Sequence, residues 1–356
     1  MILDITDEDL TNEELHIKVQ NMPNITVLIC SRCPRLTTLP EIPTLTELDC
    51  SWCPLLTTLP EIPTLTVLDC SYNPILTKVP IYPQLTKLDC YQCPLLTALP
   101  EYPELVVLDC SYNLLLTTLP IYPQLTELVC DKCSFQTIPQ FSELTRLHCD
   151  GSLLLTTIPV CPKLTNLYCS ECPLLTTIPV LPKLTWLDCF RCPLLRTLPQ
   201  LPELTYLYCF NCSVLTTIPV LAKLTLLDCH QCPLLRTLPK LPELTHLYCF
   251  NCPVFTIDYY NYPKLQHIGS WGSAQVVPKT DAELTEMRAG YQRNKEGVRA
   301  ILPKFPQGRK DIGQIILENL KSMGFGTRRK SRRRKSRRRK SRKSRRRKSR
   351  SRKSYL

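Results

Sequence analysis

The chain is 356 residues long, with a formal net charge of +13, 33 prolines, 22 cysteines and nine glycines. That charge averages two opposite populations: residues 328–353 hold 20 of the 44 Lys and Arg and no acid, while the rest carries 24 basic and 31 acidic side chains, a net of −7. No uninterrupted apolar run approaches the ~18 residues of a membrane-spanning helix, and the acidic opening MILDITDEDLTNEELH has no apolar core of a secretory signal.

Residues 1–20 read as an N-terminal cap. Leu15, Ile17 and Val19 alternate with polar residues, which predicts an extra edge strand covering the first repeat. From Asn21 the chain repeats. The stretch LTELDCSWCPLLTTLPEIPT, residues 45–64, begins again at Leu65 and again at Leu85. The cysteine of its LxC element recurs every 20 residues from Cys30 to Cys130, then after one 19-residue step from Cys149 to Cys249. Twelve copies at so short a period mean a solenoid, in which each turn buries the faces of its neighbours.

In the Leu45 copy, strand alternation places Leu48 and Cys50 inward and Glu47, Asp49 and Ser51 outward. Cys53, Leu56 and Leu59 turn the chain back beneath the strand. Pro60 and Pro63 then forbid a helical return, because proline lacks the backbone donor and clashes inside a helix. The return is expected to be extended. The missing residue between Cys133 and Pro139 predicts an irregularity in the sheet there.

The unit LxxLxCxx(C/N)xxLxxLP resembles the leucine-rich repeat, over residues 21–255. The resemblance implies a curved parallel β-sheet with an extended, proline-rich, helix-poor convex side and one long concave face. The LPxLP segments are similar to those of the bacterial LPX effectors. Cysteine-rich repeats with a Lys/Arg/Ser tail are also similar in style to repeat proteins of large amoeba-infecting DNA viruses. LPX effectors carry a ubiquitin-ligase domain with a catalytic cysteine after their repeats. Here the last cysteine, Cys252, lies inside the final repeat, so that activity is not expected to transfer.

Twelve cysteines occupy the LxC position and nine more lie three residues later; Asn73, Asn113 and Ser152 take that second slot in the other copies. Only Cys161 stands outside the pattern. Cysteines on adjacent parallel strands have parallel Cβ vectors, poor geometry for a disulfide or for four ligands converging on zinc. They read as buried free thiols acting as small hydrophobes, which suits a reducing, intracellular compartment. No metal or cofactor is expected, and thioredoxin-like chemistry lacks its βαβ context.

The outward strand positions change character along the repeats. Early copies present Glu47, Asp49, Asp69, Asp89, Asp109, Glu127 and Asp131; later ones present Tyr168, Trp186, Phe190, Tyr206, Tyr208, Phe210, Tyr248 and Phe250. Repeated aromatics on a solvent face exceed what folding needs and mark a protein-binding surface. His148, His230 and His246 fall at outward positions as solvated or interface residues, with no nucleophile beside them.

Residues 256–326 read as a degenerate repeat and a helical cap. Pro263 to Ile268 resembles a thirteenth strand, and short helices are expected after Thr280 and over residues 311–323. Residues 327–356 read as a disordered tail whose like charges repel. Its cations are Arg328, Arg329, Lys330, Arg332, Arg333, Arg334, Lys335, Arg337, Arg338, Arg339, Lys340, Arg342, Lys343, Arg345, Arg346, Arg347, Lys348, Arg350, Arg352 and Lys353. They would bind nucleic acid or another polyanion by counterion release, and would also serve as a nuclear-import signal. Ser331, Ser336, Ser341, Ser344, Ser349, Ser351 and Ser354 are flanked by Arg or Lys and resemble the phosphorylated positions of serine/arginine-rich tails. The sequence thus reads as a non-enzymatic binding scaffold with a polyanion tether. The alternative is a virion or chromatin-like component whose tail neutralises nucleic acid.

Overall fold

A computed structural model describes residues 1–253, 255–258, 261–269 and 274–277. The chain opens with a short strand, β1 (Ile2–Asp4), and one helix, α1 (Asn12–Gln20). The first repeats then supply β2 (Val27–Ile29), β3 (Glu47–Asp49), β4 (Val67–Asp69), β5 (Lys87–Asp89), β6 (Val107–Asp109) and β7 (Glu127–Val129). After the 19-residue step come β8 (Arg146–His148), β9 (Asn166–Tyr168), β10 (Trp186–Asp188), β11 (Tyr206–Tyr208), β12 (Leu226–Asp228) and β13 (His246–Tyr248). Beyond them lie β14 (Phe255–Asp258), β15 (His267–Gly269) and β16 (Ala274–Val277). β1 to β13 and then β15 form one 14-stranded parallel sheet in chain order, while β14 and β16 pair separately. The degenerate strand expected after Pro263 is therefore β15; nothing in the repeat pattern signals the β14–β16 pair.

From β1 to β13 each three-residue strand points its middle leucine inward and its flanking residues outward, as period-two alternation requires. The core runs unbroken along the solenoid from Leu3 to Tyr262. Three ladders explain recurring letters of the repeat. Threonines of the LT pair donate their hydroxyls to the carbonyl one repeat earlier, as Thr66 does to Thr46 at 2.9 Å and Thr205 to Thr185 at 2.8 Å. The second-slot cysteines point their thiols at strand-end carbonyls, Cys53 to Cys30 and Cys93 to Cys70, both at 3.1 Å. On the return, the buried Tyr82, Tyr102 and Tyr122 donate to the carbonyls of Pro60, Pro80 and Pro100 at 2.9, 3.0 and 3.2 Å. Cys161 continues that last column between Phe141 and Leu181, which gives the one cysteine outside the pattern an ordinary core address.

All 22 cysteines are buried free thiols. Burial pushes Cys50, Cys90, Cys189 and Cys209 far above the ordinary thiol range, so they stay protonated and unreactive at neutral pH.

Three expectations need correcting. Leu15, Ile17 and Val19 lie on a helix, because Thr11 and Glu14 form a reciprocal capping box that starts α1; the added edge strand is β1 instead, paired with β2. The 19-residue step leaves the sheet regular: Glu127, Leu128 and Val129 pair with Arg146, Leu147 and His148 in unbroken register. The deletion is absorbed on the return, where Phe135, 1% exposed, fills the core one residue early. Ser51, expected outward, is buried, as are Ser71 and Ser111, because each hydroxyl folds back onto the aspartate two residues before it at 2.6–2.7 Å.

Among the described residues the returns carry no helix, and Thr157–Thr177 and Thr197–Thr217 bridge neighbouring returns. No described helix is long and apolar enough to cross a membrane. The helices expected at 280–291 and 311–323, and the tail, lie outside the described residues.

Candidate binding surface on the sheet

In-register parallel strands stack equivalent outward residues at the ~4.8 Å strand spacing, so a residue type repeated in sequence becomes a continuous row. Rings gather at all three outward positions over β8–β13. In the position after the cysteine, Phe190, Phe210, His230 and Phe250 stack with centroids 4.5, 4.4 and 4.1 Å apart and ring planes within 16° of parallel. On the strands themselves, His148 stacks on Tyr168 at 4.1 Å. Contacts then continue from Tyr168 to Trp186 at 6.2 Å, and from Trp186 to Tyr206 and Tyr208 at 5.0 and 5.3 Å. On β12 the strand positions hold Leu226 and Asp228, so this row stops at Tyr206 and Tyr208; Tyr248 meets His267 of β15 at 5.3 Å.

Seven of the eight residues singled out in the sequence are thus brought together as two rows, while Tyr248 meets His267. Stacking half-buries most of them; Tyr206 remains 40% exposed. His230, expected to be solvated or interfacial, belongs to the first row instead. It is buried between Phe210 and Phe250, with Nδ1 2.5 Å from Asp228 Oδ1. Its signal was positional, since it occupies the slot of three phenylalanines. Burial also raises the Tyr208 phenol, with Asp188 and Asp228 adding to the effect. Trp186 Nε1 is shielded and has no acceptor among the described residues.

A second set of rings escapes the strand pattern altogether. Trp52, Tyr72, Tyr91 and Tyr112 form a row beside β3–β6, at centroid separations of 3.8, 4.9 and 5.0 Å. Three of them sit in the left-handed turn that closes every strand, a slot that strand alternation does not count as outward. Near the short return, Lys132, Gly151, Glu171 and Arg191 line a depression of about 540 Å³. Gly151 has φ +66, and a Cβ there would meet Lys132 Cγ at 2.9 Å.

The second-slot thiols have a structural use, since they donate to carbonyls row after row. Among the described residues no three His, Cys, Asp or Glu side chains converge on a point where a metal ion could sit.

No family model matches the chain, and no curated protein matches it. Solved structures do. The functional domain of InlJ from Listeria monocytogenes, described as including a cysteine ladder, is similar at 26% identity with a TM-score of 0.53, over 77% of this chain and 68% of that one. YopM from Yersinia pestis, a leucine-rich effector protein, is similar at 25% identity and TM-score 0.50, over 75% and 72%. A leucine-rich-repeat protein from Leptospira interrogans, at 20% identity and TM-score 0.52 over 81% and 93%, shares the fold. In its repeat, its one-residue-per-layer ladders and these neighbours, the chain is a leucine-rich-repeat solenoid.

Proposed function

We propose that this chain is a non-enzymatic scaffold that captures a protein on the ring-lined part of its sheet, with the basic tail as a tether to nucleic acid. The observation that carries the first half is the pair of ring rows, His148 to Tyr208 and Phe190 to Phe250, at positions that point away from the leucine core. Aromatic side chains present large, stiff surfaces that lose little freedom on binding, which makes them the usual anchors of protein interfaces. The InlJ and YopM likeness supports a scaffold and names no partner for this chain.

Affinity capture with the wild-type chain and with Tyr208→Ala/Phe210→Ala tests it. The double variant is expected to fold and to lose the captured protein. Unfolding to the extent caused by Leu204→Ala would make these rings core and remove the surface from the mechanism.

The tether rests on 20 cations within residues 328–353. Neutralising phosphates releases counterions, so binding should be sequence-tolerant and steeply salt-dependent. Salt titrations of the full chain, of a variant with all seven tail serines changed to Glu, and of residues 1–326 separate the parts. The expected order of slope is full chain, then the Glu variant, then no binding. Equal binding by residues 1–326 would take the tail out of the function.

A further inference from the structure

The early half of the sheet carries a strip of different chemistry. Trp52, Tyr72 and Tyr112 take the left-handed slot with φ of 58, 57 and 61, and Tyr91, one position earlier, fills the gap left by Gln92. Trp52 is 49% exposed. In other repeats the same slot takes residues as different as Arg32, Gln92, Glu171, Gly151 and Asn211, so the turn itself does not select a ring. Folding does not ask for these rings.

Alongside them, Asp49, Asp69, Asp89 and Asp109 pair one to one along β3–β6. One oxygen of each is used within its own repeat: by the N–H and hydroxyl of Ser51, Ser71 and Ser111, and by the N–H of Tyr91. The second oxygens of Asp49, Asp69 and Asp89 have no partner among the described residues. Four carboxylates at strand spacing repel one another. Burial, with Asp69 and Asp109, pushes Asp89 up to about 7, with Lys87 opposing. The ring row already receives one cation. Lys132 Nζ lies 4.7 Å from the Tyr112 centroid and donates to its hydroxyl at 2.9 Å.

We propose that this strip docks an extended lysine- or arginine-rich segment of a partner protein, its cationic heads resting over the rings and against the aspartate row. Charge complementarity selects that occupant. Glu47 adds a carboxylate beside Asp49 on β3, Lys87 is the one cation among the outward strand positions of β3–β6, and Arg32 and Lys132 bound the ring row at its two ends; Glu127 is already paired with Arg146 at 3.7 Å. A cation over an aromatic face gains from the ring quadrupole, more so when carboxylates share its desolvation. Four strands span roughly 14 Å, the reach of four to five extended residues. Alternate residues of such a segment would point at the strip, so two or three cations engage it at once. This surface is separate from the ring rows of β8–β13.

The test is fluorescence anisotropy of the full chain with a labelled ten-residue peptide alternating Lys or Arg with Ser, against the same peptide carrying citrulline and acetyl-lysine. Binding to the cationic peptide is expected. It should weaken at least tenfold with Asp69→Asn/Asp89→Asn and with Trp52→Ala/Tyr72→Ala, and persist with Tyr208→Ala/Phe210→Ala. Asparagine keeps the oxygen that accepts from the Ser71 and Tyr91 amides, so the first pair is expected to melt at or above the wild-type temperature. Quenching of Trp52 fluorescence by peptide, in a chain with Trp186 and Trp271 changed to Phe, gives a second readout. Equal binding of the uncharged peptide, or undiminished binding by the aspartate pair, would overturn the proposal. Cross-links from Asp69 or Asp89 to residues 327–356 in peptide-free protein would hand the strip to the chain's own tail and overturn it equally.

Discussion

At the second-slot position, asparagine and cysteine solve one problem with different completeness. Asn73 accepts the Cys53 N–H at 2.8 Å and donates to the carbonyls of Cys50 and Cys70, both at 3.0 Å. A cysteine in the slot reaches chiefly the carbonyl of the layer before. Replacing Asn73 by alanine strands two buried backbone groups, the Cys53 N–H and the Cys50 carbonyl, at about 1–3 kcal/mol each before relaxation, and leaves the Cys70 carbonyl only the Cys93 thiol. Asn73→Ala is therefore expected to lower stability by roughly 3 kcal/mol or more, and Asn73→Cys by visibly less, as read from urea midpoints. Ser152 is the weak member, buried with its hydroxyl unpartnered. Ser152→Cys should leave stability unchanged or raise it by about 1 kcal/mol. Asp188 tests charge instead. Burial, reinforced by Asp228, pushes it up to about 7, against donation from the Ser170 hydroxyl and the Phe190 amide. An acid with a raised folded pKa holds its proton more tightly in the fold than in the open chain. Stability is thus expected to fall as pH rises from about 4 through about 7. Asp188→Asn keeps the acceptor and drops the charge, so it should stabilise at pH 8 and change little at pH 4. A gain at pH 4 equal to that at pH 8 would contradict this.

At the scale of elements, the first repeat depends on its cap. β1 covers the edge of β2, and α1 lays Leu15, fully buried, over the opening layer. The helix is held at its start by Thr11, whose hydroxyl accepts the Glu14 N–H, while Glu14 accepts the Thr11 N–H at 2.8 Å. Thr11→Ala is expected to cost about 1 kcal/mol. Hydrogen exchange would show that loss first in the amides of residues 12–20 and of β2. Exchange faster everywhere by the same factor would instead mean that the cap and the repeats open together. The ring rows are products of the same element logic. A three-residue strand repeated in register turns one residue per repeat into a column, so a few substitutions made in phase create a surface.

At the scale of the molecule, each repeat touches only its neighbours, and stability is distributed along the axis rather than pooled in one centre. A cavity in the middle should uncouple the two sides. Leu128→Ala, next to the shortened return, is expected to split urea unfolding into two transitions, seen separately in chains that keep only Trp52 or only Trp186 of the three tryptophans. A single coincident transition for both probes would show tighter coupling than nearest-neighbour contacts supply.

Period, strand phase, inward leucines and buried thiols were all legible in the sequence, because a repeat multiplies one weak local signal twelve times. The eight later aromatics were legible for the same reason. What was not legible depended on contacts between layers or on single local motifs. The capping box at Thr11 outweighed the alternation of Leu15, Ile17 and Val19. Phe135 spared the sheet the consequence of the missing residue. His230 became core through the rings on either side of it. The row of Trp52, Tyr72, Tyr91 and Tyr112 mixes two repeat positions and joins only where the left-handed turn swings three of the rings toward the fourth. Repetition along the chain determined the scaffold; packing across it, where neighbouring side chains compete for the same space, decided which surfaces the scaffold presents.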